Sequence, residues 1–358
     1  MRLSNFRPIA CGAMLLVFFF SGIDLSAQLE WEPVNNGIWG AYVADMTFTK
    51  GGEPLITTPH GLYRYESNPK DELQNYQWKR LEKKMMWGEL ERSTEGRIFC
   101  KPFSSVKSYK GLYFSDDGGD TWEQFTWKEF STFIVLGDKA VAGFLRESTA
   151  NDDNFHITFD SGKSWQVHKV SIGEKPSKVL YDSALNFYAY TPLSTPHTKF
   201  WFSLDTGKSW TNFFIPYKVK QIEVVEPGEL LAIMSDGIYY SLDNGRTWNI
   251  ADTIRADQLV RGTNNTWYAR RTVSPIEAGS HYGIFKSTDK GRSWYPFSYH
   301  SSMMLSVSPT GDFWSNAWRL IHHSKDGTSW RSESVGLTNV YAEKLIYDYE
   351  TSILYGLV

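Results

Sequence analysis

A short motif of nearly constant sequence occurs six times in the chain, and this repeat constrains the fold more than any other feature. Its pattern is Ser/Thr-x-Asp-x-Gly-x-Ser/Thr-Trp, and the last copy is one residue shorter than the others. The copies occupy residues 115–122, 158–165, 203–210, 241–248, 287–294 and 324–330. Self-similarity at a period of a few tens of residues is typical of repeat architectures, in which each repeat forms one supersecondary unit.

Each copy is typical of a hairpin turn. The aspartate can accept hydrogen bonds from backbone N–H groups two or three residues further along. The glycine permits a positive φ, and the tryptophan begins the return strand and is large enough to pack between neighbouring sheets. We therefore predict a structural role for the conserved pairs, because six identical carboxylates at six identical turns do not indicate six active sites. These pairs are Asp117 and Trp122, Asp160 and Trp165, Asp205 and Trp210, Asp243 and Trp248, Asp289 and Trp294, and Asp326 and Trp330.

The tryptophans that end the repeats also measure the repeat length. Together with Trp78 they recur roughly every 40 residues, which is the period of a four-stranded propeller blade. Trp78 belongs to a first copy that lacks the motif, with strands predicted over 42–49, 53–58 and 61–65. The sequence thus predicts an all-β fold, a single β-propeller of four-stranded blades.

The two ends of the chain bear on the number of blades. The segment that begins at Trp31 is similar to the one that begins at Trp330, so we predict that it is an outer strand that completes the last blade and covers its edge. Residues 340–348 and 352–358 are predicted to be the first two strands of a further, incomplete blade. The prediction is therefore seven to eight blades, the alternatives being an eight-bladed ring and a seven-bladed ring with a C-terminal hairpin.

The N-terminal residues have the pattern of a secretory signal peptide. Arg2 and Arg7 precede an apolar stretch over 9–20, and small residues at 25–27 offer a cleavage site. The apolar stretch is shorter than the ~20 residues that a membrane span needs. We therefore predict a signal peptide over 1–27, a propeller over 28–358, and a secreted, extracellular or periplasmic protein without a membrane span in its mature form.

Composition argues against a nucleic-acid partner and against stabilisation by a disulfide bond. The formal net charge of −3 gives no reason to expect a nucleic-acid partner. Removal of residues 1–27 would leave Cys100 as the only cysteine, so we expect no intramolecular disulfide and a fold that is stabilised by packing.

The repeats resemble the Asp-box, or BNR repeat, of sialidases, sortilin-type receptors, xyloglucanases and photosystem II assembly factors. The resemblance covers about residues 31–358. It implies a β-propeller in which each box lies on the hairpin between the third and fourth strands of a blade, away from the ligand face. Because the family includes both enzymes and binding proteins, the resemblance predicts the fold and leaves the activity open.

Longer loops indicate where a ligand would bind. The loops predicted between second and third strands cover 102–110, 146–154, 191–199 and 271–282, and all should project from the face opposite the repeats, where insertions indicate function. Polar side chains on them could bind a glycan or a protein, and a tryptophan in the seventh blade could stack on a sugar. The candidates are Arg146, Glu147, Asp152, Asp153, His197, Arg271, Glu277, His281 and Trp318.

The sequence favours a glycan- or protein-binding module or scaffold over an enzyme. The alternative is a glycoside hydrolase of the sialidase superfamily, either an exo-sialidase or a xyloglucanase-like enzyme. The Arg-Ile-Pro signature of sialidases is absent from residues 28–358, and a carboxylate pair from different blades cannot be recognised from spacing. We expect no catalytic residue, no cofactor and no metal, since metal-binding motifs are absent and the adjacent His322 and His323 would point to opposite faces of a strand.

Overall fold

The computed structural model describes most of the chain between residues 43 and 357. The described ranges are 43–58, 61–67, 76–82, 88–103, 110–146, 154–170, 176–191, 197–272, 283–300, 302–317, 320–333, 344–348 and 353–357. Within them the secondary structure consists of β-strands and turns. No helix in these ranges is long and apolar enough to cross a bilayer. The predicted signal peptide and Trp31 lie outside the described residues.

The protein is a seven-bladed β-propeller, and each blade is an antiparallel sheet of four consecutive strands. Blade 1 contains β1 (Asp45–Phe48), β2 (Pro54–Thr58), β3 (Gly61–Ser67) and β4 (Tyr76–Glu82); blade 2 contains β5 (Gly88–Arg92), β6 (Ile98–Pro102), β7 (Leu112–Ser115) and β8 (Glu123–Thr126); blade 3 contains β9 (Phe130–Gly137), β10 (Ala140–Leu145), β11 (Asn154–Thr158) and β12 (Gln166–Lys169); blade 4 contains β13 (Lys178–Tyr181), β14 (Phe187–Tyr190), β15 (Thr198–Ser203) and β16 (Thr211–Ile215).

The remaining blades follow the same order. Blade 5 contains β17 (Val219–Glu226), β18 (Glu229–Met234), β19 (Ile238–Ser241) and β20 (Asn249–Asp252); blade 6 contains β21 (Gln258–Arg261), β22 (Trp267–Arg270), β23 (Ile284–Ser287) and β24 (Tyr295–Ser298); blade 7 contains β25 (Met304–Val307), β26 (Phe313–Ala317), β27 (Leu320–Ser324) and β28 (Arg331–Ser332). Thus the first blade exists without the motif, as its predicted strands indicated.

Burial explains why these sequences form stacked blades. The second strand of a blade is covered on both faces by the neighbouring sheets, so β14 and β22 are buried at every position. A fourth strand lies at the outer edge and is mostly exposed, as in β12. Apolar clusters therefore lie between blades, and the cluster between blades 3 and 4 joins Phe144 and Phe155 to Phe187 and Trp201.

The ring closes between blade 7 and blade 1. Trp314 and Ile321 of blade 7 share one buried cluster with Ile56, Tyr63 and Trp78 of blade 1. The Trp78 indole N–H donates to the Glu333 carbonyl oxygen at 2.5 Å, and the Tyr65 hydroxyl donates to the Glu333 carboxylate. These contacts join the first and last blades directly.

The structure decides between the two predicted blade numbers. The seven-bladed ring with a C-terminal hairpin is confirmed and the eight-bladed ring is not, because blade 7 contributes its own fourth strand and packs against blade 1. The strands predicted over 340–348 and 352–358 exist as β29 (Lys344–Asp348) and β30 (Ile353–Leu357), and they form a separate two-stranded sheet.

Each repeat forms the turn between the third and fourth strands of its blade, and we call it the repeat turn. In blade 3 the Asp160 carboxylate accepts hydrogen bonds from the Ser164 amide at 2.9 Å, the Ser164 hydroxyl at 2.6 Å and the Thr158 hydroxyl at 2.8 Å. These donors, the Ser164 hydroxyl first, lower the pKa of Asp160 to about 2. This amide lies four residues beyond the aspartate. The predicted spacing of two or three residues holds in the shortened turn, at Thr328 and Ser329, and for the additional Arg292 amide in blade 6.

The glycine of a repeat turn is needed for two reasons. Gly207 has φ of 82°, and the preceding Thr206 is also left-handed at 62°. In addition, a Cβ at Gly207 would lie 2.4 Å from a ring carbon of Phe155 in the preceding blade. The turn is therefore a contact between blades as well as a local hairpin.

The tryptophan that follows fixes the turn to the sheet. Its indole N–H donates to the carbonyl oxygen of the turn glycine at 2.9–3.0 Å in five of the six turns. Trp248 is the exception, since its indole nitrogen has no hydrogen-bond partner. The Trp210 ring lies between Phe144, Phe155 and Phe187, which confirms the predicted packing between sheets.

The inner strands have an edge that no other strand covers, and side chains of the preceding blade bind this edge. Gln221 accepts from the Leu259 amide at 2.8 Å and donates to the Leu259 carbonyl at 3.0 Å. Gln258 makes the same two bonds to Leu305, at 2.9 and 3.0 Å. Single acceptors do this at other junctions, namely Asp45 for the Leu90 amide, Glu91 for the Val135 amide and the Tyr190 hydroxyl for the Ile222 amide. Buried backbone groups are thereby satisfied without a neighbouring strand.

We predict that Gly207→Ala destabilises the protein more than Gly228→Ala. Gly228 has a similar φ of 80°, but a Cβ there would meet nothing closer than 3.6 Å. Both variants bear the left-handed strain of about 1–2 kcal/mol, and only Gly207→Ala adds a clash with Phe155, of about 1–3 kcal/mol. Urea unfolding of both variants measures the difference, and equal losses would show that the contact with the preceding blade is unimportant.

Candidate functional site

The strand order defines two faces of the ring. The repeat turns and the turns between first and second strands lie on one, the turn face. The loops between second and third strands and the links between blades lie on the other, the loop face. Ligands of repeat folds bind where loops vary, so the candidate site is the loop face and the adjoining mouth of the central channel.

Three of the predicted rim residues lie in the described part of the chain, and all three flank strands at the loop face. Arg146 follows β10 and is exposed, His197 precedes β15 and is exposed, and Arg271 follows β22 with its guanidinium over the Phe285 ring at 5.8 Å. The other predicted residues, Glu147, Asp152, Asp153, Glu277, His281 and Trp318, lie outside the described residues. The binding role of this set stays a prediction.

The links between blades carry exposed large side chains that the sequence analysis missed. Trp127 lies between β8 and β9 and is 73% exposed. Tyr217 lies between β16 and β17, and Tyr299 and Met303 lie between β24 and β25; all three are also exposed. Their signal in the sequence is their position, a large side chain in the short link between the fourth strand of one blade and the first strand of the next. These four residues, which we call the link residues, place apolar surface on the loop face at three junctions.

The inner strands bring four carboxylates near the axis. Asp45, Glu89 and Glu91 come from blades 1 and 2, and Glu223 comes from blade 5. Lys178 of blade 4 is close enough to lower the pKa of Asp45, Glu91 and Glu223. Glu89 also pairs with Lys101 at 3.0 Å. Arg261 of blade 6 lowers the pKa of Glu223 as well, so acidic and basic groups are mixed around this part of the channel.

Enclosure in the channel changes the acidity of these groups. Burial raises the pKa of Glu91 to about 8 and that of Asp45 to about 6, although the Val135 and Leu90 amides that they bind partly oppose this. Burial likewise raises the pKa of Glu223. Protonated Glu91 has both a hydrogen-bond donor and an acceptor, as Gln221 and Gln258 have at the equivalent junctions. A neutral carboxyl group is therefore suited to bind the inner edge of the next blade.

The described residues do not assemble the machinery of the hydrolase alternative. Arg270 is buried and donates to Gln258, Thr272 and the Ser302 carbonyl, whereas Arg261 donates to Asn265. These contacts do not group three arginines on one anion, as a sialidase requires. No group of three His, Cys, Asp or Glu side chains suited to a metal ion occurs in the described ranges.

The two adjacent histidines confirm the expected alternation along a strand. His322 faces blade 6, where its ring lies 5.2 Å from that of His300. His323 faces the opposite way, stacks on Trp314 at 4.4 Å and approaches Asp312 at 3.3 Å. They therefore do not form one site.

Comparisons with known proteins agree on the fold. No family model matches the sequence, and no curated protein matches it. The chain is similar to a streptogramin B lyase, with a TM-score of 0.53, 13% identity and coverage of 83% of this chain and 96% of that one. It is also similar to the extracellular domain of a putative hybrid two-component system from B. thetaiotaomicron, with a TM-score of 0.51, 12% identity and coverage of 92% and 52%.

A third similar structure is a YCF48 protein bound to a D1 peptide. Its TM-score is 0.43, with 14% identity and coverage of 90% of this chain and 94% of that one. The two matches with TM-scores above 0.5 support the fold, and the architecture of the chain itself defines its class, a seven-bladed β-propeller.

We predict that Glu91→Gln removes part of the pH dependence of stability. Because the pKa of Glu91 is raised to about 8 in the folded protein from 4.5, the folded state holds a proton that the unfolded state has lost between these values. Its contribution to stability is complete below pH 4.5 and is lost as the pH rises to 8, at up to about 1.4 kcal/mol per pH unit. The glutamine keeps the bond to Val135 without this loss.

Urea unfolding between pH 5 and pH 9 provides the measurement. The variant should exceed the wild-type stability increasingly as the pH rises through 6 to 8. Glu89→Gln, on the same strand but paired with Lys101, is the matched control. A constant difference between Glu91→Gln and wild type across this range would contradict the prediction.

Proposed function

We propose that this protein is an exported propeller of the Asp-box type that recognises a polypeptide partner through its loop face. The pattern of residues 1–27 supports export. The six repeat turns, with their shared network of aspartate, hydroxyl and amide groups, support the Asp-box class.

The exposure of the link residues is the observation that carries the recognition function. Trp127 holds its indole in solvent although tryptophan usually lies in the core. Tryptophan, tyrosine and methionine are the residues enriched in protein interfaces, and tryptophan and tyrosine dominate their energetics. Three junctions in the described part of the chain present such a side chain on one face, so a single extended partner could contact several of them.

The charge of the channel defines the chemistry of that partner. The carboxylates of Asp45, Glu89 and Glu223 would bind a basic group in competition with Lys101, Lys178 and Arg261, whereas Glu91 is protonated near neutral pH. A peptide that combines aromatic or aliphatic residues with a lysine or arginine would match both the link residues and the channel. The rim residues Arg146, His197 and Arg271 would contact its polar groups.

A glycan ligand is the second candidate, and the exposed face of Trp127 favours it. An indole that lies free in solvent can stack on the apolar face of a sugar ring as readily as on a peptide. Trp318, which lies outside the described residues, would serve the same purpose on blade 7.

Trp127→Ala tests the proposal. The purified protein is screened against a phage-displayed random peptide library and, in parallel, a glycan array. We expect enriched peptides to contain basic and aromatic residues, and Trp127→Ala to weaken their binding about 30-fold, as expected of a residue that contributes at least ~2 kcal/mol.

Tyr295→Ala is the matched control, because Tyr295 is an exposed aromatic residue on the outermost strand of blade 6. It should leave the affinity unchanged. Glycan binding that is lost in Trp127→Ala would assign the site to carbohydrate instead. Absence of any peptide or glycan ligand, or peptide binding that Trp127→Ala leaves intact, would overturn the proposal.

A further inference from the structure

Three consecutive blades carry an exposed apolar side chain at the same place on the turn face. The second residue of the repeat turn is Phe159 in blade 3, Leu204 in blade 4 and Leu242 in blade 5, and these are 45%, 52% and 53% exposed. At the same position blades 2, 6 and 7 have Asp116, Thr288 and Lys325. Among the six repeat turns, an apolar residue at the second position therefore occurs only in blades 3 to 5, and the fold of the turn does not require it.

The same three turns each carry an exposed cation at their sixth residue. These cations are Lys163, Lys208 and Arg246. Among the described residues none of them forms an ion pair, although the Arg246 guanidinium lies over the Phe202 ring at 4.5 Å. Each turn thus pairs one apolar tip with one cation that is available to a ligand.

The charged side chains of the neighbouring turns in blades 2 and 6 form ion pairs within the protein. Asp120 of blade 2 pairs with Arg64 of blade 1 at 2.9 Å, and Asp116 pairs with Arg97 at 2.7 Å. In blade 6, Lys290 and Arg292 pair with Glu226 and Glu229 of blade 5. The arc of blades 3 to 5 differs in that each of its turns carries both an apolar tip and a cation without an ion pair among the described residues, whereas in the blade 7 turn the cation, Lys325, takes the place of the apolar tip.

We propose that this arc, the turn face of blades 3 to 5, docks on an anionic lipid membrane. The three turns have the same internal hydrogen bonds and project from one face of the ring, so their tips lie at a common level. Phe159, Leu204 and Leu242 enter the headgroup region, and the three cations bind lipid phosphates.

A planar membrane fits this surface better than a folded protein does. The three apolar tips stand on separate blades, and polar serine, threonine and lysine residues of the turns lie between them. An interface with a folded protein would bury a compact, more apolar core at its centre, whereas a bilayer can accept isolated tips at one depth. The carboxylates of Asp160, Asp205 and Asp243 equal the three cations in number while they bind donors of their own turns, so positive charge alone would not hold the surface on a membrane and apolar insertion is also required.

Co-sedimentation with large vesicles tests the proposal. Vesicles of phosphatidylcholine alone are compared with vesicles that contain equal parts of phosphatidylcholine and phosphatidylglycerol. We expect the wild-type protein to bind the anionic vesicles at least about tenfold more tightly than the neutral ones, because each basic side chain near an anionic surface contributes about 1 kcal/mol.

Two triple variants separate the two parts of the surface. The first is Phe159→Ser, Leu204→Ser and Leu242→Ser, and the second is Lys163→Gln, Lys208→Gln and Arg246→Gln. Each should weaken binding to anionic vesicles at least about tenfold while the thermal unfolding midpoint stays near that of the wild type. The matched control replaces Val167, Phe214 and Ile250 by serine, since these are exposed apolar residues on the outer strands of the same blades.

The outcomes are distinct from those of the loop-face test. Trp127 lies on the opposite face, so the Trp127→Ala variant should retain vesicle binding. Wild-type protein that does not bind anionic vesicles, or triple variants that bind as well as the outer-strand control, would overturn the proposal. Binding to an immobilised acidic, leucine-rich peptide that both triple variants lose, without vesicle binding, would overturn it in favour of a protein partner.

Discussion

The uncovered inner edge of each sheet is the constraint on which the rest of the structure depends. A propeller blade ends at the axis with backbone N–H and C=O groups that no strand can pair, and such groups are costly when enclosed. Here the preceding blade provides the partner, most completely through Gln221 and Gln258. The channel must therefore be lined by polar side chains, and carboxylates such as Glu91 take part because they serve as acceptors there.

The two faces follow from this arrangement and differ in what they can do. On the turn face, the aspartate of each repeat turn accepts hydrogen bonds from donors of the same turn, and the glycine packs against the preceding blade. The backbone of the turn is therefore fixed, while its second and sixth residues remain free to vary. On the loop face, large side chains of the described links, such as Trp127, extend into solvent. Recognition on the loop face and membrane attachment on the turn face, as we propose, would use both of these features.

The sequence predicted the fold well because the repeat encodes a local structure. The spacing of Trp122 and its equivalents locates every blade after the first, and Trp78 locates the first. Ring closure was predicted less well, since the packing of Trp314 against Trp78 joins residues far apart in the chain. The candidate site was the part that the sequence predicted least well. Arg146 was chosen because it lies on a long loop. The exposure of Trp127 and the convergence of Asp45, Glu91 and Glu223 depend on how the blades pack against each other, which no local sequence pattern indicates.

Amide hydrogen exchange in Gln221→Leu tests the central claim most directly, namely that side chains of one blade bind the inner edge of the next. The Leu259 amide, which Gln221 binds, should exchange at least about fivefold faster than in the wild type, as expected for the loss of a hydrogen bond worth ~1 kcal/mol. The Leu305 amide, held by Gln258, should be unchanged. Unaltered protection of Leu259 in this variant would contradict the account.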